Sequence, residues 1–336
     1  MKRTIRIAIS IAISVLFLGF AVSGVNWTEA VAALAHAQYL YTLPMFPITV
    51  WTLYIRAQRW RLLLRPLGTP AMRTLVAATN IGFMANMVLP LRAGEVIRPV
   101  LLSRKEGQPI GGVLATIVLE RIFDMFMVLL LFGLSMLTVS TGENDTAMLR
   151  QWGYSMSAVA LLIAAAVVLI RWQEALALRL LTLVLRALPP ALAESIDRFF
   201  HGFVKALEIL DSPGAFLRVL AWSVYLWVVI ASIYFWGFLA FDLPVPFVTG
   251  SIVVTALIAL AVAAPSAPGY IGVFQAGCIL ALGFFGVSKS DAIAYSIILH
   301  ITQFAGTVAA GLYSLTREGM SLRQIEHVSE ADGATA

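Results

Sequence analysis

The sequence predicts an all-α, polytopic membrane protein with six spanning helices and two re-entrant hairpins. Three observations carry this. Of the 336 residues, 60% are hydrophobic and 12% are charged, and the mean hydropathy is +0.89, whereas soluble domains are about 25% charged. Two apolar stretches are broken by proline and glycine, at Asn86-Met87-Val88-Leu89-Pro90-Leu91-Arg92-Ala93-Gly94-Glu95 and at Pro265-Ser266-Ala267-Pro268-Gly269-Tyr270-Ile271-Gly272. Lysine and arginine collect in alternate connections between the apolar runs. Backbone broken at membrane depth survives only where protein buries it or where it lines a cavity, so the two broken stretches are expected to meet inside the bundle.

The elements follow in order. A first helix is expected over 5–25; its apolar run is longer than the hydrophobic part of a cleaved signal peptide, which favours an uncleaved span. A second covers 40–64 and ends in Arg56, Arg59, Arg61 and Arg65. Residues 74–90 rise and 91–103 return, forming the first hairpin. A third helix covers 111–139, the polar loop 141–145 follows, and a fourth helix covers 151–171. Between 172 and 213, charges at helical intervals among leucine pairs suit amphipathic helices lying in the membrane interface. A fifth helix covers 215–240. Residues 247–264 and 273–286 form the second hairpin around the Pro265–Gly272 break, and a sixth helix covers 290–316. Residues 1–320 are thus read as one transmembrane domain and 321–336 as a flexible cytoplasmic tail.

With two hairpins and six spans, the amino terminus, 56–73, 104–110, 172–213 and the tail share one side, and that side holds most of the lysine and arginine. The positive-inside rule places it in the cytoplasm. Counting 74–103 as a full span would invert every later connection and lose the bias. The same order gives span, span, hairpin, span twice, in segments 1–140 and 150–316, with opposite orientation. Such inverted repeats with interrupted segments at matching positions surround midplane binding sites in transporters. Here the repeat rests on topology alone; eight ordinary helices with proline kinks are the alternative.

The third helix contains Glu120, Arg121 and Asp124. Glu120 and Asp124 are four residues apart and share a face. Each charge costs about 2.5–3.5 kcal/mol at a helix centre, so the group must face inward and be paired. Its expected partners are Arg92, Glu95 and Arg98 of the first hairpin, giving three acids and three arginines that neutralise one another. One reading is a structural ion-pair network; the other is a site for a charged headgroup or a proton. Arginine's planar fork suits phosphate, and helix N-termini near Gly94 and Gly272 would favour the same anion. The arginines at 56, 59, 61 and 65 are expected to snorkel to lipid headgroups. Trp27, Trp51, Trp60, Trp152 and Trp172 are expected at the interfaces, His300 hydrogen-bonded within the bundle, and Cys278 in packing.

The chain has one cysteine and four scattered histidines, which gives neither a disulfide nor a metal-ligand spacing, and no cofactor is expected. No G-x-S-x-G, H-E-x-x-H, Walker or dinucleotide fingerprint occurs. The formal charge of +5 is read as orientation in a membrane rather than as nucleic-acid binding.

Arg59-Trp60-Arg61, Asn86 to Leu89-Pro90 with Gly94-Glu95 and Arg98, Glu120-Arg121 with Asp124, and Pro265 to Gln275 together resemble the flippase-like proteins that include the transmembrane region of lysylphosphatidylglycerol synthases. The resemblance implies movement between leaflets of a lipid, either an aminoacylated phosphatidylglycerol or a polyprenyl-linked carrier, in the bacterial inner membrane. The implied substrate-binding residues are Asn86, Arg92, Glu95, Arg98, Glu120, Arg121, Asp124, Gly269, Tyr270 and Gln275, with no catalytic residue. Many relatives carry an acid where this chain has Gln275, and these 336 residues do not include the synthases' soluble aminoacyl-transferase domain, so they are not expected to make lysyl-lipid. Two alternatives stand beside the translocator: an intramembrane enzyme acting on a lipid head, and an accessory subunit of an envelope glycosyltransferase or synthase.

Overall fold

A computed structural model describes residues 2–138, 143–186, 188–264, 266–322 and 324–325. Among these there are thirteen α-helices and no strand. The expected loop at 141–142, Pro265 and nearly all of the expected tail lie outside the described residues. Helices α1 (Lys2–Val22) and α2 (Trp27–His36) form a pair bent by 84°. Asn26 turns the corner: its side-chain oxygen accepts from the backbone N–H groups of Thr28 and Glu29, an N-cap at the head of α2.

Helix α3 (Met45–Leu63) is followed by α4 (Met72–Val88), a 3₁₀ turn at Pro90–Arg92 and α5 (Gly94–Glu106). Helices α4 and α5 pack on each other, so this segment doubles back as a helix hairpin. Pro90 is the cause of the reversal, because it offers no N–H to continue the ladder. The two arms come closer than side chains permit. A Cβ on Gly94 would sit 1.8 Å from the Gly82 carbonyl oxygen, so only glycine fits there. Helix α6 (Ile110–Thr138) follows, then α7 (Glu143–Trp172), which begins eight residues before the helix expected at 151.

Helices α8 (Glu174–Leu185) and α9 (Pro190–Ala206) fill the amphipathic region. Leu176, Leu180, Leu183 and Val184 of α8 are exposed, as an interface-lying helix requires. Helix α10 (Pro213–Ala240) precedes the second hairpin, α11 (Phe247–Ala263) and α12 (Val273–Gly283), whose arms also pack together. Gly272 holds φ at +88° where the chain re-enters α12, and a Cβ there would meet the Ser14 carbonyl oxygen of α1 at 2.5 Å. The last long helix is α13 (Lys289–Arg317).

Several pairings of α3 to α6 are repeated by α10 to α13 when the two halves are exchanged. Helix α4 packs on α13 while α11 packs on α6; α3 meets α4 as α10 meets α11; α5 meets α6 as α12 meets α13. Helices α3 and α10 pack on each other across the middle.

By length and hydropathy, three described helices can cross a membrane: Gly153–Trp172, Pro213–Ala240 and Lys289–Arg317, or four spans if the bent α1–α2 pair is one. This is fewer than the six expected. Helix α3 contains Arg56, Arg59 and Arg61, and α6 contains Glu120, Arg121 and Asp124, so each interrupts its apolar length with three charges.

Candidate functional site: an arginine-rich cluster beneath two touching hairpin tips

The site begins with a polar stripe on α3. Thr49, Thr52, Arg56 and Arg59 recur at three- and four-residue steps, which is one helical face. Thr49 and Thr52 are buried, and Arg59 is 0% exposed. The expectation that Arg56 and Arg59 snorkel to lipid heads is therefore corrected: their face turns inward, toward α6. Arg61 and Arg65 lie on another face, are exposed, and line a cavity of about 190 Å³ with Gln58, Thr69 and Trp222. Trp60 is likewise no interfacial residue. It is fully buried and donates its indole N–H to Thr116 Oγ1 of α6 at 2.9 Å. Trp27, Trp51 and Trp172 are exposed; the side chain of Trp152 lies outside the described residues.

On α6, Glu120 and Asp124 face α3 and α5. Arg59 Nη1 donates to Asp124 Oδ1 at 2.6 Å, and its Nη2 lies 3.4 Å from Glu120 Oε1. Arg98 of α5 lies against both Glu120 oxygens: its Nη1 donates to Oε1 at 3.1 Å, and its Nη2 stands 3.0 Å from Oε2 as an ion pair. Arg121 reaches Glu120 at 2.8 Å and Asp124 at 3.3 Å. Arg56 stands 3.6 Å from Asp124. Aromatic faces hold two guanidiniums from the other side: Arg98 lies 3.9 Å from the Trp60 ring centre and Arg56 4.8 Å from that of Phe83.

Expected neutrality is overturned by this arrangement. Four guanidiniums, Arg56, Arg59, Arg98 and Arg121, surround two carboxylates, Glu120 and Asp124. Glu95 and Arg92, expected within the cluster, sit at its edge as a pair 3.8 Å apart, 38% and 29% exposed. Two positive charges remain unmatched whether or not that pair is counted. The Nε atoms of Arg59, Arg98 and Arg121 are buried donors without a hydrogen-bond partner. Arg98 and Arg121 also border a narrow cavity of about 20 Å³ with Gly82, Asn86 and Glu95, and Asn86 Oδ1 is a buried acceptor without a partner.

Above the cluster the two hairpin tips touch. Arg92, at φ +53°, sends its guanidinium to the carbonyl oxygens of Val262 and Ala264, the latter at 3.2 Å. Those carbonyls end α11, where helix acceptors have no partner of their own. The same guanidinium lies 5.8 Å from the Tyr270 ring centre. Tyr270 and Gly269 adopt φ of +61° and +70°. Gln275 does not face an ion. Its Oε1 accepts from the Gly272 N–H at 2.8 Å, and its Nε2 lies 2.9 Å from His300 Nδ1. His300 Nε2 lies 2.6 Å from the Gly269 carbonyl oxygen, and Phe274 stacks on the imidazole. At the head of α12, where an anion was expected, the Gly272 N–H is thus taken by the protein's own amide. His300 is bonded within the bundle, and Cys278 is fully buried in packing, both as expected. Among the described residues no group of histidine, cysteine, aspartate and glutamate could hold a metal ion.

Sequence reasoning missed Arg56 and Arg59 as members of the cluster. The stripe Thr49, Thr52, Arg56, Arg59 was the available signal.

Residues 7–311 match the family described as the lysylphosphatidylglycerol synthase TM region. The chain belongs to that family. As a lysylphosphatidylglycerol synthase TM-region protein with several apolar helices, it is a multi-pass membrane protein. A curated relative is the protein named glycosyltransferase AglD of Haloferax volcanii, 24% identical over 95% of this chain and 55% of the relative. The chain thus spans about half the length of that relative. No solved structure gives a significant match.

Proposed function

We propose that this TM-region family member binds a phosphate-bearing membrane lipid at the arginine cluster and moves its headgroup between the leaflets of a bacterial inner membrane. The observation that carries this is the pair of unmatched positive charges beneath two touching hairpin tips. Arg56, Arg59, Arg98 and Arg121 receive the phosphate, Glu120 and Asp124 hold those guanidiniums apart and oriented, and acyl or prenyl chains stay in the bilayer. Asn86, Arg92, Glu95, Gly269 and Tyr270 form the mouth, and Gln275 supports the second tip. Six spans, two re-entrant hairpins and an inverted repeat frame the site, with both termini cytoplasmic. The exchangeable helix pairings support that frame.

The test is a headgroup-flipping assay in liposomes with fluorescent phospholipids. Arg98→Ala, purified as a monodisperse protein, is expected to slow transport by about tenfold or more, since one charge-assisted contact is lost. Full transport by that variant would rule the site out.

A second reading has one observation behind it. The relative's name is that of a glycosyltransferase, and this chain corresponds to about half of its length. On that reading the chain supports a partner enzyme working on a lipid-linked sugar. Stoichiometric co-purification with such an enzyme, without flipping by the chain alone, would favour it. An enzyme acting on the headgroup itself would instead change the lipid species recovered after incubation.

A further inference from the structure

Resting on the reading of the cluster as a headgroup site, we propose that its lipid carries two negative charges on phosphate, as a phosphomonoester or a diphosphate. A phosphodiester brings one negative charge, and an aminoacylated phosphatidylglycerol brings none in excess. The cluster itself sets the requirement. Four guanidiniums meet two carboxylates, and adding the Arg92–Glu95 pair leaves the difference unchanged. A self-contained structural network in a low-dielectric interior would match its charges, because each unmatched one is costly. Most of the surplus sits on enclosed groups. Arg59 and Arg98 are 0% and 3% exposed, and Trp60 and Phe83 lie against Arg98 and Arg56, so these three guanidiniums are held from water, while Arg121, 40% exposed, stands at the edge of the cluster. The buried Nε–H groups of Arg59, Arg98 and Arg121 have no acceptor among the described residues. A doubly charged phosphate supplies both the missing charge and the missing acceptors, in the planar geometry that guanidinium favours.

The experiment measures lipid binding to purified full-length protein in detergent by native mass spectrometry. The lipids are phosphatidic acid, a polyprenyl diphosphate and phosphatidylglycerol. The first two are expected to bind about tenfold or more tighter than phosphatidylglycerol, the worth of an added charge-assisted contact. Arg56→Gln, which lowers the surplus to one, is expected to abolish that preference, and Arg56→Lys to keep it. Should Arg56→Gln not give monodisperse protein, Arg121→Gln, whose side chain is 40% exposed, carries the same test. Equal affinity for phosphatidylglycerol, or a preference that survives the charge-lowering variant, overturns the double-charge claim and leaves the headgroup site standing. Failure of all three lipids to bind overturns both. Inorganic pyrophosphate is expected to compete only at far higher concentration; if it binds as tightly as the lipids, the ligand is a soluble anion and the lipid assignment falls.

Discussion

Glu120 is the residue on which the cluster depends. It meets Arg59, Arg98 and Arg121 and is fully buried. Removing its charge leaves Arg59 and Arg121 with Asp124 and takes from Arg98 the carboxylate it meets, and breaking a buried ionic pair on one side costs about 3–5 kcal/mol. Glu120→Gln is therefore expected to lower the melting temperature in detergent more than Asp124→Asn, since the Asp124 side chain is 11% exposed and water relieves part of the loss. Equal melting temperatures would contradict this. The presence of Glu120, Arg121 and Asp124 inside the bundle was legible in the sequence, because three charges in one apolar run have to face a partner. The identity of the partners was less so. An arginine near the end of an apolar run looks the same whether its long stem carries the charge outward or inward. Only the threonines at one and two turns before Arg56 and Arg59 tell the two apart.

The hairpins are held by different means. The first closes through backbone contact at Gly82 and Gly94. The second closes through Gln275, which caps the head of α12 and braces His300 at the same time. Gln275→Leu keeps the volume but strips a buried N–H and an imidazole nitrogen of their partners, a cost of about 1–3 kcal/mol for each unsatisfied group. That variant is expected to melt at lower temperature than the wild type and to expose the second tip to proteolysis; unchanged protection would place the support elsewhere. Both turns were readable from Pro90, Gly94, Pro268 and Gly272, since few other residues allow such reversals. The extent of α7 was not, because Glu143, Asn144 and Asp145 read as loop residues while in the structure they are helical.

At the scale of the whole molecule, the expected orientation has a direct check. Cys278 is the one cysteine and is fully buried, so introduced cysteines can be labelled without removing it. Thr69→Cys, between α3 and α4, is expected to react with a membrane-impermeant maleimide only after the cytoplasmic side is opened. Pro244→Cys, between α10 and α11, is expected to react in intact spheroplasts; the reverse pattern would invert the topology. The order of long elements was legible because hydrocarbon runs of this length have few other uses. The meeting of the hairpins was argued from broken backbone alone, and the structure adds the side chain that joins them. Arg92 has two claims upon it: the last carbonyls of α11 and whatever negative group arrives at the first loop. It cannot serve both fully. On the proposed headgroup reading, an anion that draws it away loosens the end of the opposite hairpin, so occupancy at one hairpin and shape at the other become a single variable.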